Sequence, residues 1–176
     1  VYTTRLLGRN NELVLHGGGN TSVKTSIKDI DGKEYKVLCV KGSGWDMADI
    51  EPDGLPGVRL QPLLKLRHLK ELSDEALVNF KRSNLMRSGA PTPSIETLLH
   101  AYLPHLFVDH THSVAILSLT NQPNGEDLCR EVFGDRIGIV PYVKPGFDLA
   151  KKAADVFESR PEVEGLILLK HGIFTF

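Results

Sequence analysis

The run Gly165-Leu166-Ile167-Leu168-Leu169 contains no polar side chain, so a strand built from it needs neighbours for both its backbone and its side chains. No stretch of the chain reaches the roughly 18 consecutive apolar residues of a membrane-spanning helix. The run therefore reads as a buried strand within a folded domain. The 176 residues suit one such domain, and a hydrophobic share of 41% is enough for one sizeable core. Lys and Arg total 21 against 22 Asp and Glu, so bulk charge draws the chain neither to nucleic acid nor to an anionic membrane. The two cysteines, Cys39 and Cys129, are too few and too far apart for a disulfide framework or a thiolate zinc site. The opening residues lack the apolar block of a signal peptide, and a cytoplasmic location is expected. The chain opens on Val1 rather than Met and closes soon after the apolar run, so a domain truncated at both ends is expected.

Strand and helix signals alternate upstream, separated by loops rich in Gly and Pro. Asp31-Gly32 between Val23–Asp29 and Tyr35–Lys41 predicts a hairpin. Pro62–Leu72 reads as a helix, and Ser73 caps the next, which runs to about Met86. Ser94 is a candidate N-cap for a helix whose Ile95, Leu98, Leu99, Tyr102 and Leu103 form one apolar stripe before Pro104 stops it. Strands are expected at Phe107–Ser113, Ile137–Tyr142 and Gly165–Leu169, and helices at Gly125–Phe133 and Phe147–Ser159. The reading is a mixed α/β domain with strand order left open.

The chemistry-bearing residues begin with His110-Thr111-His112. On a strand, residues i and i+2 share a face about 6.6 Å apart, so two imidazoles can converge on one ion. Two polar residues on a half-buried strand face would give the same spacing. His171 ends the apolar run, next to Gly172. It is either structural or the third member of a histidine set with an open fourth position, the form of a catalytic zinc site. Glu96, off the apolar stripe, either compensates the helix N-terminus or serves beside a metal as ligand or proton carrier. His100, one turn on, is expected to hydrogen-bond Glu96. His16, His68 and His105 have no partner spacing and read as structural or surface residues. Three loops, His16–Ser22, Lys41–Gly44 and Pro91–Ser94, are rich in small residues whose N–H and O–H groups suit an anion. The nucleotide fingerprints are absent, so a small phosphorylated metabolite fits better than a dinucleotide.

Five segments in order, Gly19-Asn20-Thr21-Ser22-Val23-Lys24, Lys41-Gly42-Ser43-Gly44, Pro93-Ser94-Ile95-Glu96, His110-Thr111-His112 and Lys170-His171-Gly172, resemble the class II aldolase/adducin family over nearly the whole chain. Longer stretches are similar to the aldolase half of bifunctional rhamnulose-1-phosphate aldolase/alcohol dehydrogenases: Leu15–Lys24, Val40–Asp46 and Lys170–Phe176.

The resemblance implies a three-layer α/β/α fold on a mainly antiparallel sheet, assembled as a homo-tetramer with sites at subunit interfaces. It implies zinc on His110, His112 and His171, with Glu96 as the catalytic acid/base and a further ligand when substrate is absent. The same donors also admit cobalt, manganese or iron. Asn20, Thr21, Ser43, Gly44 and Ser94 would form the substrate phosphate pocket. Ile95 departs from the family, whose sugar-phosphate aldolases often carry a second serine there. The implied reaction is reversible cleavage of a ketose 1-phosphate, rhamnulose-1-phosphate-like, to dihydroxyacetone phosphate and lactaldehyde. A short-chain dehydrogenase domain would follow in the parent protein. The alternatives are a sugar-phosphate 4-epimerase of the same family, which usually has Asp at the Glu96 position, and a non-catalytic adducin-like scaffold, which lacks the histidines.

Overall fold

Residues of alternating burial and tight glycine turns place seven strands in one sheet in this computed structural model, which describes residues 1–176. The strands are β1 (Asn20–Lys28), β2 (Glu34–Val40), β3 (Gly57–Arg59), β4 (Phe107–Thr111), β5 (Ile137–Val140), β6 (Gly165–Leu168) and β7 (Gly172–Thr175). Their order is β3-β2-β1-β4-β7-β6-β5, and every pairing is antiparallel except β5 with β6. The helices are α1 (Tyr2–Gly8), α2 (Leu60–Lys65), α3 (Asp74–Ser83), α4 (Thr97–Tyr102), α5 (Val114–Thr120), α6 (Gly125–Phe133) and α7 (Phe147–Ser159).

Side-chain alternation along β6 divides the core in two. Leu166 and Leu168 join a cluster of 24 buried residues with α2, α3, α4 and α7, whereas Ile167 joins a smaller one with Ile116 of α5 and Cys129 of α6. Helices thus cover both faces, giving the α/β/α layering. The sole parallel pair needs a crossover, and α7 supplies it through Phe147, Ala150, Ala153 and Phe157. The Asp31-Gly32 turn joins β1 to β2 as expected, with Gly32 at φ +80° and Lys28 paired to Glu34.

Several sequence boundaries move. The helix expected over Pro62–Leu72 is α2 plus one 3-10 turn, Leu66–His68, because Leu69 is exposed and the apolar stripe has run out. The Ser73 cap is present, accepting from the Ala76 N–H at 3.2 Å. Its helix stops at Ser83 rather than Met86, since Leu85 is drawn into a bridge with Val58. The strand expected to Ser113 ends at Thr111, where the chain turns into α5. Ser94 caps a turn rather than the helix: its Oγ accepts from the Glu96 N–H, and α4 begins at Thr97. The short elements α1, β3, α5 and β7 carried no expectation.

Candidate active site

The start of β1, the ends of β2 and β4 and the start of β7 meet at one end of the sheet, where the catalytic candidates gather. Asn20 of β1 pairs with His110 of β4, which pairs in turn with Phe174 of β7. His112 lies just beyond β4, and His171 sits in the turn between β6 and β7, where Lys170 takes φ +59°. A side chain at Gly172 would collide with the Thr111 carbonyl and lie 3.1 Å from carbons of both the His110 and His112 rings. Only glycine lets β7 approach β4 there while keeping space between the imidazoles.

One ligand-capable nitrogen from each of His110, His112 and His171 lies within 4.8 Å of the others. The His110 Nδ1–H donates to the Ile173 carbonyl at 3.0 Å, which leaves a lone pair on Nε2, aimed inward. That Nε2 faces the His112 Nε2 at 3.0 Å, so either His112 donates a proton there or a cation lies between. Glu96 closes the fourth side, with Oε2 3.4 Å from His110 Nε2 and Oε1 3.2 Å from His171 Nε2. Oε1 is buried and makes no hydrogen bond, an orphaned acceptor that a cation would satisfy.

Burial pushes His110 down to about 3, helped by His112 and Lys41. Burial likewise brings His171 to about 4, against the opposing pull of Glu96, and lowers His112. The three rings are therefore neutral at pH 7, the form that binds metal. Three neutral imidazoles, a carboxylate and an unsatisfied oxygen fit a divalent cation such as zinc.

A pocket of about 240 Å³ opens over this centre, lined by Gly17, Asn20, Lys41, Ser43, Gly44, Ser94, Ile95, Glu96, His112 and His171 among others. Gly17, Gly19 and Gly44 carry N–H groups that make no hydrogen bond within the protein. Ser43 is exposed, and its hydroxyl is free to turn into the pocket. The structure thus brings together the metal candidates and four of the five expected phosphate residues. Thr21 is the exception: one step along β1 from Asn20, it points to the opposite face, and its hydroxyl pairs with Thr4 at 2.7 Å.

One further expectation needs correction. His100 does not bond Glu96. Its ring nitrogens meet Asn20 Oδ1 and Ser22 Oγ, and Asn20 in turn donates to Glu96 Oε2 at 2.8 Å. Asn20 is thus a partner of the carboxylate as well as a pocket residue. His16 and His68 are exposed, and His105 stacks on Phe176 with ring centroids 4.2 Å apart, as their lack of partner spacing suggested.

Sequence reasoning gave no binding role to three lysines that shape the site. Lys41 is 2% exposed, lines the pocket and donates to the Gly17 and Trp45 carbonyls. Its position in Lys41-Gly42-Ser43-Gly44 was the available signal. Lys81 donates to the Pro93 and Ser94 carbonyls at 3.0 and 2.8 Å, below the turn that carries Glu96. Lys24 donates to the His100 and His105 carbonyls, both at 2.8 Å, closing the other end of α4. Burial lowers Lys24 and Lys81 to about 8. Nothing in the local sequence of either marks such long-range partners.

The whole chain, residues 1–176, matches the family described as class II aldolase and adducin N-terminal domain. The chain belongs to this family. A domain of the same description from a conserved protein of Thermoplasma acidophilum is 40% identical, with TM-score 0.92 over 99% of this chain and 80% of that one. A sugar-phosphate aldolase from Thermotoga maritima shares the fold at 16% identity and TM-score 0.66, covering 99% of this chain and 84% of that one. L-fuculose-1-phosphate aldolase from Thermus thermophilus does so at 15% and 0.58, covering 99% and 77%. Among curated proteins, the uncharacterized oxidoreductase YuxG of Bacillus subtilis (strain 168) is 40% identical over all 176 residues. This class II aldolase domain spans 26% of that relative's length. No helix in it is long and apolar enough to cross a membrane.

Proposed function

We propose that this domain is a divalent-metal aldolase that reversibly cleaves a ketose 1-phosphate, of rhamnulose-1-phosphate type, to dihydroxyacetone phosphate and lactaldehyde. The observation that carries the reading is the convergence of three neutral imidazoles and the buried Glu96 carboxylate beneath a pocket rich in free N–H and O–H donors. Proteins named as sugar-phosphate and fuculose-phosphate aldolases share the fold and support the substrate class.

His110, His112 and His171 would hold the metal, with Glu96 beside them. When bound, zinc or a similar ion supplies Lewis acidity towards the substrate's ketone and hydroxyl oxygens. The remaining work falls to the chain itself. Breaking the carbon–carbon bond leaves an electron pair next to the ketone, and the departing aldehyde needs a proton removed from its hydroxyl. Glu96 moves a proton through Oε1, the oxygen left without a hydrogen bond, while Asn20 holds Oε2. Delivered to the carbon that keeps the electron pair, that proton balances the one lost from the hydroxyl. Gly17, Gly19 and Gly44 offer N–H groups to the phosphate, Ser43 and Ser94 offer hydroxyls, and Lys41 adds a positive charge. Anchoring that remote end places the scissile bond over Glu96. Ile95 lines the same pocket with an apolar surface. Because the metal site serves this chemistry, no lysine Schiff base is required.

In the longer protein, a dehydrogenase domain would act on the aldehyde product, in keeping with the oxidoreductase name of the relative of which this chain matches 26%. A tetramer would complete the sites at subunit interfaces, and light scattering tests it. The function is tested by metal analysis of the purified chain followed by a coupled assay for dihydroxyacetone phosphate. Rhamnulose 1-phosphate should be cleaved, chelation should stop cleavage and zinc should restore it. A metal-loaded chain that releases dihydroxyacetone phosphate from no ketose 1-phosphate would overturn the reading.

A further inference from the structure

Four buried polar side chains form a directional chain ending on the carboxylate. Ser22, His100, Asn20 and Glu96 are all less than 9% exposed, and His100 is at 0%. Ser22 Oγ lies 2.8 Å from His100 Nδ1, and His100 Nε2 contacts Asn20 Oδ1. Asn20 Nδ2 then donates to Glu96 Oε2 at 2.8 Å and to Ser94 Oγ at 3.2 Å.

Chemistry fixes the direction of every proton. An ionised carboxylate only accepts, so Asn20 must turn its NH₂ towards Glu96 and its carbonyl oxygen towards His100. A carbonyl oxygen also only accepts, so His100 must carry its proton on Nε2. A neutral ring with a proton on Nε2 has a lone pair on Nδ1, and Ser22 donates to it. The Val108 carbonyl also lies near the ring. A proton on Nδ1 directed there would set the bare Nε2 lone pair against Asn20 Oδ1. That arrangement is electrostatically unfavourable in a buried site.

The consequences reach both parts of the active site. Without a ligand, Asn20 spends both amide hydrogens and its oxygen on Glu96, Ser94 and His100. Ser94 Oγ accepts from Asn20 and from the Glu96 N–H, which fills its lone pairs and leaves its own hydrogen as a donor for the pocket. Glu96 has one anchored oxygen, Oε2, and one free, Oε1.

We propose that His100 is a positioning residue: its Nε2–H locks the Asn20 amide, which anchors Glu96 Oε2 and leaves Oε1 as the proton-transferring oxygen. The inference rests on Glu96 being the proton carrier of the reaction above. His100→Leu lowers kcat about 10–100-fold, with a smaller change in KM and metal content at the wild-type level. His100→Gln, whose amide N–H can reach towards Asn20 Oδ1, recovers most of that loss. Loss of packing alone would not distinguish a glutamine from a leucine in this way.

A second measurement needs neither variant to be active. In ¹⁵N-histidine-labelled, zinc-loaded wild-type protein, the His100 ring, assigned by its disappearance in His100→Gln, shows a protonated Nε2 and an unprotonated Nδ1. A proton on Nδ1, or unchanged kcat in His100→Leu, would overturn the proposal. If the wild type cleaves no ketose 1-phosphate, the functional reading fails by itself. The ring's tautomer still decides whether His100 orients Asn20.

Discussion

Two regions on one face of the sheet bury their side chains to opposite ends. Beside α7, the β5–β6 edge presents Leu166 and Leu168 to Ala150, Ala153 and Phe157, contacts that have no direction. Beside α4, the β1–β4–β7 end presents Asn20, Ser22 and His110 to His100 and Glu96, where each donor has a particular acceptor. Close glycine contacts show the same division. A side chain at Gly138 would press into Leu166 at 2.6 Å, whereas one at Gly172 would fill the space between the His110 and His112 rings. The apolar region gains stability from burial. The polar region uses burial to orient groups, and desolvating them works against stability.

Glu96→Gln attacks the comparison where the effect should be largest. The replacement keeps the shape of the side chain and a bond to the Asn20 amide but cannot carry the proton. Turnover should fall about 10²–10⁴-fold while metal content and unfolding midpoint stay near the wild type. Undiminished turnover would leave the polar end without its chemical distinction.

Leu166→Ala probes the other end. Leu166 is fully buried and makes no side-chain hydrogen bond to the candidate site, and its truncation should cost about 2–5 kcal/mol in urea unfolding. The kcat of the remaining folded molecules should be unchanged. A large loss of kcat with little loss of stability would show that the two regions are not separable.

Acid sharpens the contrast with a smaller effect. In the metal-free protein His110 and His171 are depressed from 6.5 to about 3 and about 4, so below pH 6.5 the unfolded chain binds more protons than the folded one. Stability is therefore fully present above the unfolded value and declines as pH falls towards the folded values. With His112 shifted in the same direction, the loss from pH 7 to pH 6 should be about 1–2 kcal/mol. Leu166→Ala should keep this pH slope, and His110→Phe should flatten it. Unfolding curves at the two pH values check both.

The two regions also differ in how far the sequence revealed them. Apolar periodicity located α6, α7, β6 and the stripe of α4, because packing repeats with the period of the element. It missed α5, a helix of seven residues without a charge, and β7, whose four residues follow directly on the His171 turn. At the polar end the three converging histidines and Glu96 were visible as local motifs. The link from His100 to Asn20 was not, since 80 residues separate them and only the pairing of the sheet with α4 brings them together. Thr21 was misplaced for a related reason. A motif names neighbours in sequence, but a strand sends alternate residues to opposite faces.

The smallest expected effect lies where one region supports the other. Helix α3 carries Lys81, whose ammonium holds the Pro93 and Ser94 carbonyls beneath the Glu96 turn. Ser73 caps the opposite end of that helix through an exposed bond of 3.2 Å. Ser73→Ala should cost about 0.5–1 kcal/mol, the low part of the usual capping range, because water can replace an exposed bond. Leu77, two turns before the helix ends and fully buried, pins the middle of α3 to the core, so fraying at Ser73 should stop short of Lys81. The kcat should then match the wild type. A fall in kcat beyond about twofold would mean that helix stability at Ser73 reaches the carboxylate through Lys81. In that event the polar end would owe its geometry to a distant cap as well as to its own hydrogen bonds.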